Sequence, residues 1–249
     1  MKLYGDFTKE DWLEVLEINE AAVPSTLILH GQWDHEENLS LWKEKLTNDQ
    51  WIPSWNTVVG KHEGEQVGFS NVFGGPIAAA IAHRFAVMGT RTFIQTGYFG
   101  GLSHDVDYGD ILIVTGAVMD DGVSQWYVPD QRMIDADQTF VQEAVRYCKE
   151  KGYRYTTGTV YSTGAIMVET QEMVQEWAKE GYLGVDMETA TTFAVARKFN
   201  KSAVGLLNLS DHIIKGDTFY NSDDQRDISE EQTDQRIREL ALHLSSYQP

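Results

Sequence analysis

From Gln66 to the C-terminus, apolar runs of strand length alternate with runs of helix length, and few folds accommodate that order. Gln66 to Val72 reads as a strand. Ile77 to Met88 reads as an alanine-rich helix, opened by the turn Gly74-Gly75-Pro76 and closed at Gly89. Thr92 to Thr96 is strand-like and leads into a glycine-rich loop, Gly97-Tyr98-Phe99-Gly100-Gly101. Strands at Asp110 to Val118 and Tyr155 to Tyr161 are separated by a helix, Thr139 to Lys151, that ends near Gly152. Then follow a helix at Glu169 to Lys179, a short extended piece at Gly184 to Met187 and a helix at Glu188 to Phe199. The apolar run Val204 to Leu209 stops abruptly at Ser210-Asp211-His212, and Arg226 to Ser246 closes the chain as an amphipathic helix. This alternation predicts an α/β fold with a largely parallel or mixed sheet.

The first quarter is less regular. Residues 6 to 20 read as a surface helix capped by Asp6 or Thr8, and Pro24 ends that segment. Thr26 to Leu29 is a short strand that stops at His30-Gly31, and Leu39 to Leu46 looks helical. Asp49 to Thr57, with Trp51, Pro53 and Trp55, reads as a loop or an edge element. With no fixed-period repeat and no low-complexity linker, one domain over residues 1–249 is expected, with 1–24 as an N-terminal helical extension.

Composition narrows the partners. The net charge of -18 argues against nucleic acid and anionic membranes. No apolar run is long enough to span a bilayer, and Met1 to Asp6 lacks the apolar core of a secretory signal. Cys148 is the single cysteine, so a reducing, cytoplasmic setting is expected. The seven histidines show no ligand spacing with it, so no metal is implied. The acidic stretch Ser222 to Asp227 reads as a solvated connection.

Four stretches fall at expected strand ends: Gly31 to Glu36, Gly97 to Gly101, Asp186 to Glu188, and Ser210-Asp211. Ligands of α/β sheets bind outside the carboxyl ends of the strands. Asp211 in such a place is either a helix cap or a reagent. Glu188 opening a helix is favoured there by the helix dipole alone. Met187 and Ile166 are as readily core residues, and Gly97 to Gly101 as readily a tight turn.

Taken together these stretches resemble the nucleoside phosphorylase and nucleosidase superfamily. Gly184-Val185-Asp186-Met187-Glu188-Thr189-Ala190 is similar to its Gly-Val-Glu-Met-Glu-Ala-Ala stretch. Ser210-Asp211 resembles the Ser-Asp motif of its purine-specific branch, and Thr96 to Leu102 its Thr-Gly-x-x-Gly-Gly-Leu loop. Phe73 to Ala78 stands in the place of its Gly-x-Gly-x-x-Ala/Ser turn. These pieces lie in the family's order between about residues 26 and 245. The resemblance implies a three-layer α/β/α domain around a twisted, mixed sheet, a homodimer or larger assembly, no cofactor, and a small-molecule nucleoside as substrate. It implies that Asp211 protonates the departing base and that Glu188 binds the ribose hydroxyls beside Asp186 and Met187. It also implies that Ile166 lies over the base. The chemistry is consistent, because a purine leaves poorly unless protonated and an oxocarbenium-like sugar is stabilised by a nearby carboxylate.

The departures bear on the nucleophile. Where the phosphorylases of this family carry phosphate-binding arginines, this chain has His35 and Gln95, and none stands around Trp51 to Trp55. Tyr98 replaces the phosphate-binding serine. Arg84, Arg91 and Arg132 remain, but no motif places them at the site. The nucleosidases instead carry a water-activating glutamate about five residues after the glycine that ends the first strand; counting from Gly31 gives Glu36. Glu36 is otherwise a solvated acid at a helix start. The expected site therefore comprises Asp211 and Glu36 as catalytic groups, with Glu188, Met187, Asp186, Ile166, Gly97, Tyr98, Gln95 and Gly31 around the substrate. Hydrolysis of a purine nucleoside by water is the favoured expectation. Phosphorolysis through a rearranged phosphate site and a nucleoside-binding sensor without turnover are the alternatives. No Gln-x-Arg pair of the uridine phosphorylase kind is found.

Overall fold

The computed structural model describes residues 2–52, 56–221 and 223–248; Pro53, Trp55 and Ser222 of the stretches above lie outside them. Ten strands join one sheet. The strand run β1 (Thr26–Gly31), β5 (Thr92–Gly101) and β10 (Ser202–Asp211) lies side by side and parallel, with β4 (Glu65–Val72) on the far side of β1. These strands are buried along nearly their whole length, which explains why they read as continuous apolar runs rather than alternating ones. Each fully buried Leu, Ile or Phe there contributes about 1.5–3 kcal/mol.

Beyond β4 the sheet continues through antiparallel β3 (Thr57–His62) to the edge strand β2 (Thr47–Ile52). On the other side, β10 pairs antiparallel with β6 (Ile111–Asp120), which runs parallel to β8 (Tyr155–Thr163). β8 pairs with the short β9 (Gly184–Asp186), and β9 returns to β5 at Gly100 and Gly101. Strands β5, β10, β6, β8 and β9 thus close a ring, while β1, β4, β3 and β2 form an open arm. Short β7 (Met133–Asp135) adds to β6.

Helices cover both faces. Strand β5 shows the division directly. Gln95 accepts a hydrogen bond from Thr192 of α7 (Thr189–Lys198), and Tyr98, three residues on, donates to Asp234 of α8 (Asp224–Ser246). Helices α1 (Lys9–Val15) and α3 (Gly75–Met88) lie with α7 on one side. Helix α2 (His35–Lys43) packs on β4 and β3. The short α4 (Ser124–Tyr127) leans on α7, α5 (Gln138–Lys151) packs on α8, and Trp177 of α6 (Gln171–Lys179) stacks on Tyr161 of β8. Several sequence boundaries hold closely: Thr8 caps α1, Gly89 ends α3 with φ 122°, and Gly152 ends α5 in the left-handed conformation.

The glycine-rich stretch differs from the sequence reading. Gly97 to Gly101 is not a loop but the second half of β5. The glycines serve close packing. Gly97 has φ 136°, and a Cβ there would meet the carbonyl oxygen of Gly31 at 2.8 Å.

Candidate active site

The C-terminal ends of β1, β5, β9 and β10 meet around a cavity of about 290 Å³. Gly31, Tyr98, Asp186, Met187, Glu188, Ile166 and Asp211 of the expected site all line it. Gln95 does not. It is fully buried beneath α7, where Thr192 donates to it at 2.7 Å and it donates to the Thr96 carbonyl at 2.8 Å. Gly97 is not in the lining either; it packs against the backbone of Gly31, which is. Glu36 is absent from the lining as well; it sits exposed in the first turn of α2. The chain leaves β1 at Gly31, passes the exposed Trp33 and Asp34, and has turned toward solvent before Glu36 is reached.

Asp211 is delivered by a local irregularity. Leu209 pairs with Phe99 and Asp211 with Gly100, so Ser210 is an extra residue in β10. Such a bulge re-aims the following side chain. The Ser210 hydroxyl donates to the Asp211 carboxylate at 2.5 Å. Asp211 caps no helix; the His212 amide instead donates to Asp217. Burial raises the Asp211 pKa, which favours the protonated acid that a departing base needs.

Glu188 and Asp186 divide two tasks at the start of α7. Asp186 accepts from the Ser162 hydroxyl at 2.5 Å, from the Thr189 amide at 2.8 Å and from the Thr189 hydroxyl. Its carboxylate is therefore spent on capping the helix, although its edge borders the cavity. Glu188 occupies the N-cap position but makes no cap hydrogen bond. Its Oε1 accepts from the Gly74 amide at 2.6 Å, and its Oε2 lies where a Cβ on Gly31 would approach to 2.6 Å. Glycine at position 31 thus makes room for this carboxylate. Burial, followed by the charge of Asp186, pushes the Glu188 pKa up to about 8.

Several lining residues were not singled out in the sequence. Glu169 is pushed up to about 7 by burial and by Asp211, and its buried Oε1 has no hydrogen-bond partner. Arg226, Asp227 and Glu230 come from the first turns of α8, within and just beyond the stretch read above as a solvated connection. Arg226 is buried there because its guanidinium donates to the Ser210 carbonyl, to the Thr218 carbonyl at 3.1 Å and to Asp217 at 3.3 Å. Trp33, Phe73 and Phe219 form an aromatic rim, with Trp33 5.9 Å from Phe73 and 5.6 Å from Phe219, ring centre to ring centre.

The charge of the lining is one-sided. Six carboxyl groups border the cavity against one basic residue, Arg226. Arg84 lies over Trp12, Arg132 pairs with Glu180 at 2.6 Å, and neither these nor Arg91 reaches the cavity. Among the described residues no group of three or more histidine, cysteine or acidic side chains is arranged to hold a metal ion. Nor is any helix among them long and apolar enough to cross a membrane.

Residues 34–243 match the Phosphorylase superfamily. The chain belongs to that family. The match is carried through individual relatives. One is a guanosine phosphorylase of Halorubrum lacusprofundi, 26% identical over 177 residues that cover 71% of this chain and 73% of the relative. Another is a purine nucleoside phosphorylase DeoD-type 2 of Vibrio vulnificus, 29% identical over 174 residues, or 69% of this chain and 74% of the relative. A crystal structure of uridine phosphorylase from Vibrio fischeri ES114 superposes with a TM-score of 0.80 at 21% identity, over 92% of this chain and 95% of the other. At that identity the superposition speaks for the fold, and it is the mixed α/β fold expected from the alternation of elements.

Proposed function

We propose that this phosphorylase-superfamily enzyme cleaves the N-glycosidic bond of a purine nucleoside and that water is the acceptor. The carrying observation is the charge of the cavity: six carboxyl groups and a single guanidinium already engaged by Asp217 and two carbonyls. A phosphate dianion needs free forked donors, and the one guanidinium here is already engaged, whereas water needs none. Asp211 donates a proton to the leaving base, and Glu188 accepts hydrogen bonds from the sugar hydroxyls. Met187 and Ile166 supply apolar surface to the sugar and base.

The second reading is phosphorolysis, favoured by the phosphorylase names of the relatives. The deciding measurement is base release from inosine, guanosine and adenosine with and without phosphate, with the sugar product identified. Free ribose at full rate in phosphate-free buffer supports hydrolysis; strict phosphate dependence with ribose 1-phosphate as product overturns it. Assembly as a homodimer or larger oligomer is part of the same proposal, from the family resemblance, and sedimentation of the purified protein tests it.

A further inference from the structure

The hydrolytic reading requires a group that takes a proton from water, and Glu36 does not line the cavity. The carboxyls that do are unequally occupied. Asp186 is consumed by helix capping, Glu188 is bonded to the Gly74 amide, and Asp211 is bonded to Ser210. Glu169 stands at the base end beside Ile166, with Asp211 as its charged neighbour. Glu230 lines the cavity from α8, and its carboxylate accepts no hydrogen bond and forms no ion pair among the described residues.

The placement of Glu230 follows from helix geometry. Arg226, Glu230 and Asp234 are spaced four apart on α8 and so share one face. Arg226 is anchored to the carbonyl of Ser210, next to Asp211. Asp234 is anchored to the Tyr98 hydroxyl and, at 2.9 Å, to Asn208. Glu230 lies between these anchors, about 6 Å along the helix from each.

On this arrangement we propose that Glu230 is the general base of the hydrolysis, acting on a water held on the Tyr98 side of the cavity. The inference rests on the hydrolytic reading above. In the step, a water O–H proton passes to the Glu230 carboxylate as the water oxygen bonds to the sugar C1′. The C1′–N bond breaks, its electron pair goes to the base, and Asp211 supplies the proton that the base takes up. Glu230 ends with one proton more and Asp211 with one fewer, and exchange with solvent resets both. Burial pushes the Glu230 pKa up to about 7, with Asp234, Asp227 and Asp211 acting in the same direction and Arg226 against them. A base with a pKa close to the working pH combines availability with proton affinity.

The test compares wild type, Glu230→Gln, Glu230→Asp and Glu230→Ala in phosphate-free buffer, with folding checked by circular dichroism and thermal melting. Glu230→Gln is expected to lose about 10²–10⁴-fold in kcat with KM nearly unchanged, and to lose the acidic limb of the kcat pH profile. Glu230→Asp is expected to recover part of the rate. Azide, which attacks without losing a proton, is expected to restore base release in Glu230→Ala and to yield the ribosyl azide. Wild-type hydrolysis together with a Glu230→Gln rate within about threefold overturns the Glu230 assignment alone, as does a change confined to KM. Absence of hydrolysis in the wild type, with strict dependence on phosphate, overturns both it and the reading beneath it.

Discussion

Two strand-to-helix junctions carry acidic residues at the same end of the sheet, and they behave oppositely. At β9–α7, Asp186 and Glu188 are buried and held by Ser162, Thr189 and the Gly74 amide. At β1–α2, Asp34, Glu36 and Glu37 are exposed, and Asp34 makes no cap hydrogen bond. The first junction is fixed because a second carboxylate does the capping and leaves Glu188 free to face the cavity. The second has no such partner, so its acids stay with water, where solvation is worth more than a weak contact. A strand end alone does not make an acid a reagent; the donors that hold it in place do.

The largest effect should come from the anchored carboxyl on β10. Asp211→Asn is expected to lower kcat for purine nucleosides by about 10²–10⁴-fold while nucleoside binding persists, as read by steady-state kinetics and calorimetric titration. Unchanged turnover would remove the strand-end carboxyl from the mechanism; binding with no turnover in wild type as well would make the chain a sensor. Next is Gly31→Ala. The added Cβ would lie 2.6 Å from the Glu188 carboxylate, so the carboxylate or β1 must shift. A loss of about 10–100-fold in kcat/KM is expected, with the melting temperature little changed.

Asp186→Ala probes the capping partner directly. It removes the acceptor of Thr189 and Ser162 and should cost about 1–3 kcal/mol of stability in urea titration. An unaltered urea midpoint would mean that α7 is held without this cap. Glu169 gives a pH test. Its pKa rises from 4.5 to about 7 in the folded chain, so the folded state retains a proton that the unfolded state releases. That contribution is complete below about pH 4.5 and is lost as the pH passes through 7. Wild type should therefore lose stability relative to Glu169→Gln over this interval; a constant difference would refute the shift. The smallest effect is assigned to Glu36→Gln, with kcat within about threefold of wild type. A hundredfold loss would return the catalytic role to the β1–α2 junction.

The sequence revealed what periodicity can reveal. Long apolar runs such as Val204 to Leu209, bounded by polar punctuation, located the buried strands and the Asp211 end of the site. Spacing failed where long-range packing decides. Glycines at 97, 100 and 101 signal a loop, yet here they permit β1 and β9 to approach β5 closely. The Gln95 position in the resemblance suggested a ligand, but the strand's alternation turns it under α7. Arg226 and Glu230 lay in or beside an acidic, hydrophilic stretch. The available signal was the fourfold spacing of Arg226, Glu230 and Asp234 on a helix whose other face is apolar. Strand β2 was read only as part of a loop or edge element and β3 was not read at all, because β2 is exposed at every position but Ile52 and so shows no apolar run.

The closed ring of β5, β10, β6, β8 and β9 has a mechanical meaning. A hoop of hydrogen-bonded strands does not widen without breaking a ladder, so the floor beneath Asp211 and Glu188 is stiff against breathing motions. Traffic of substrate and product must then pass the rim, where Trp33, Phe73 and Phe219 sit on turns outside the hoop. The cavity floor is tied into that ring of strands, and its rim of three aromatic side chains is not.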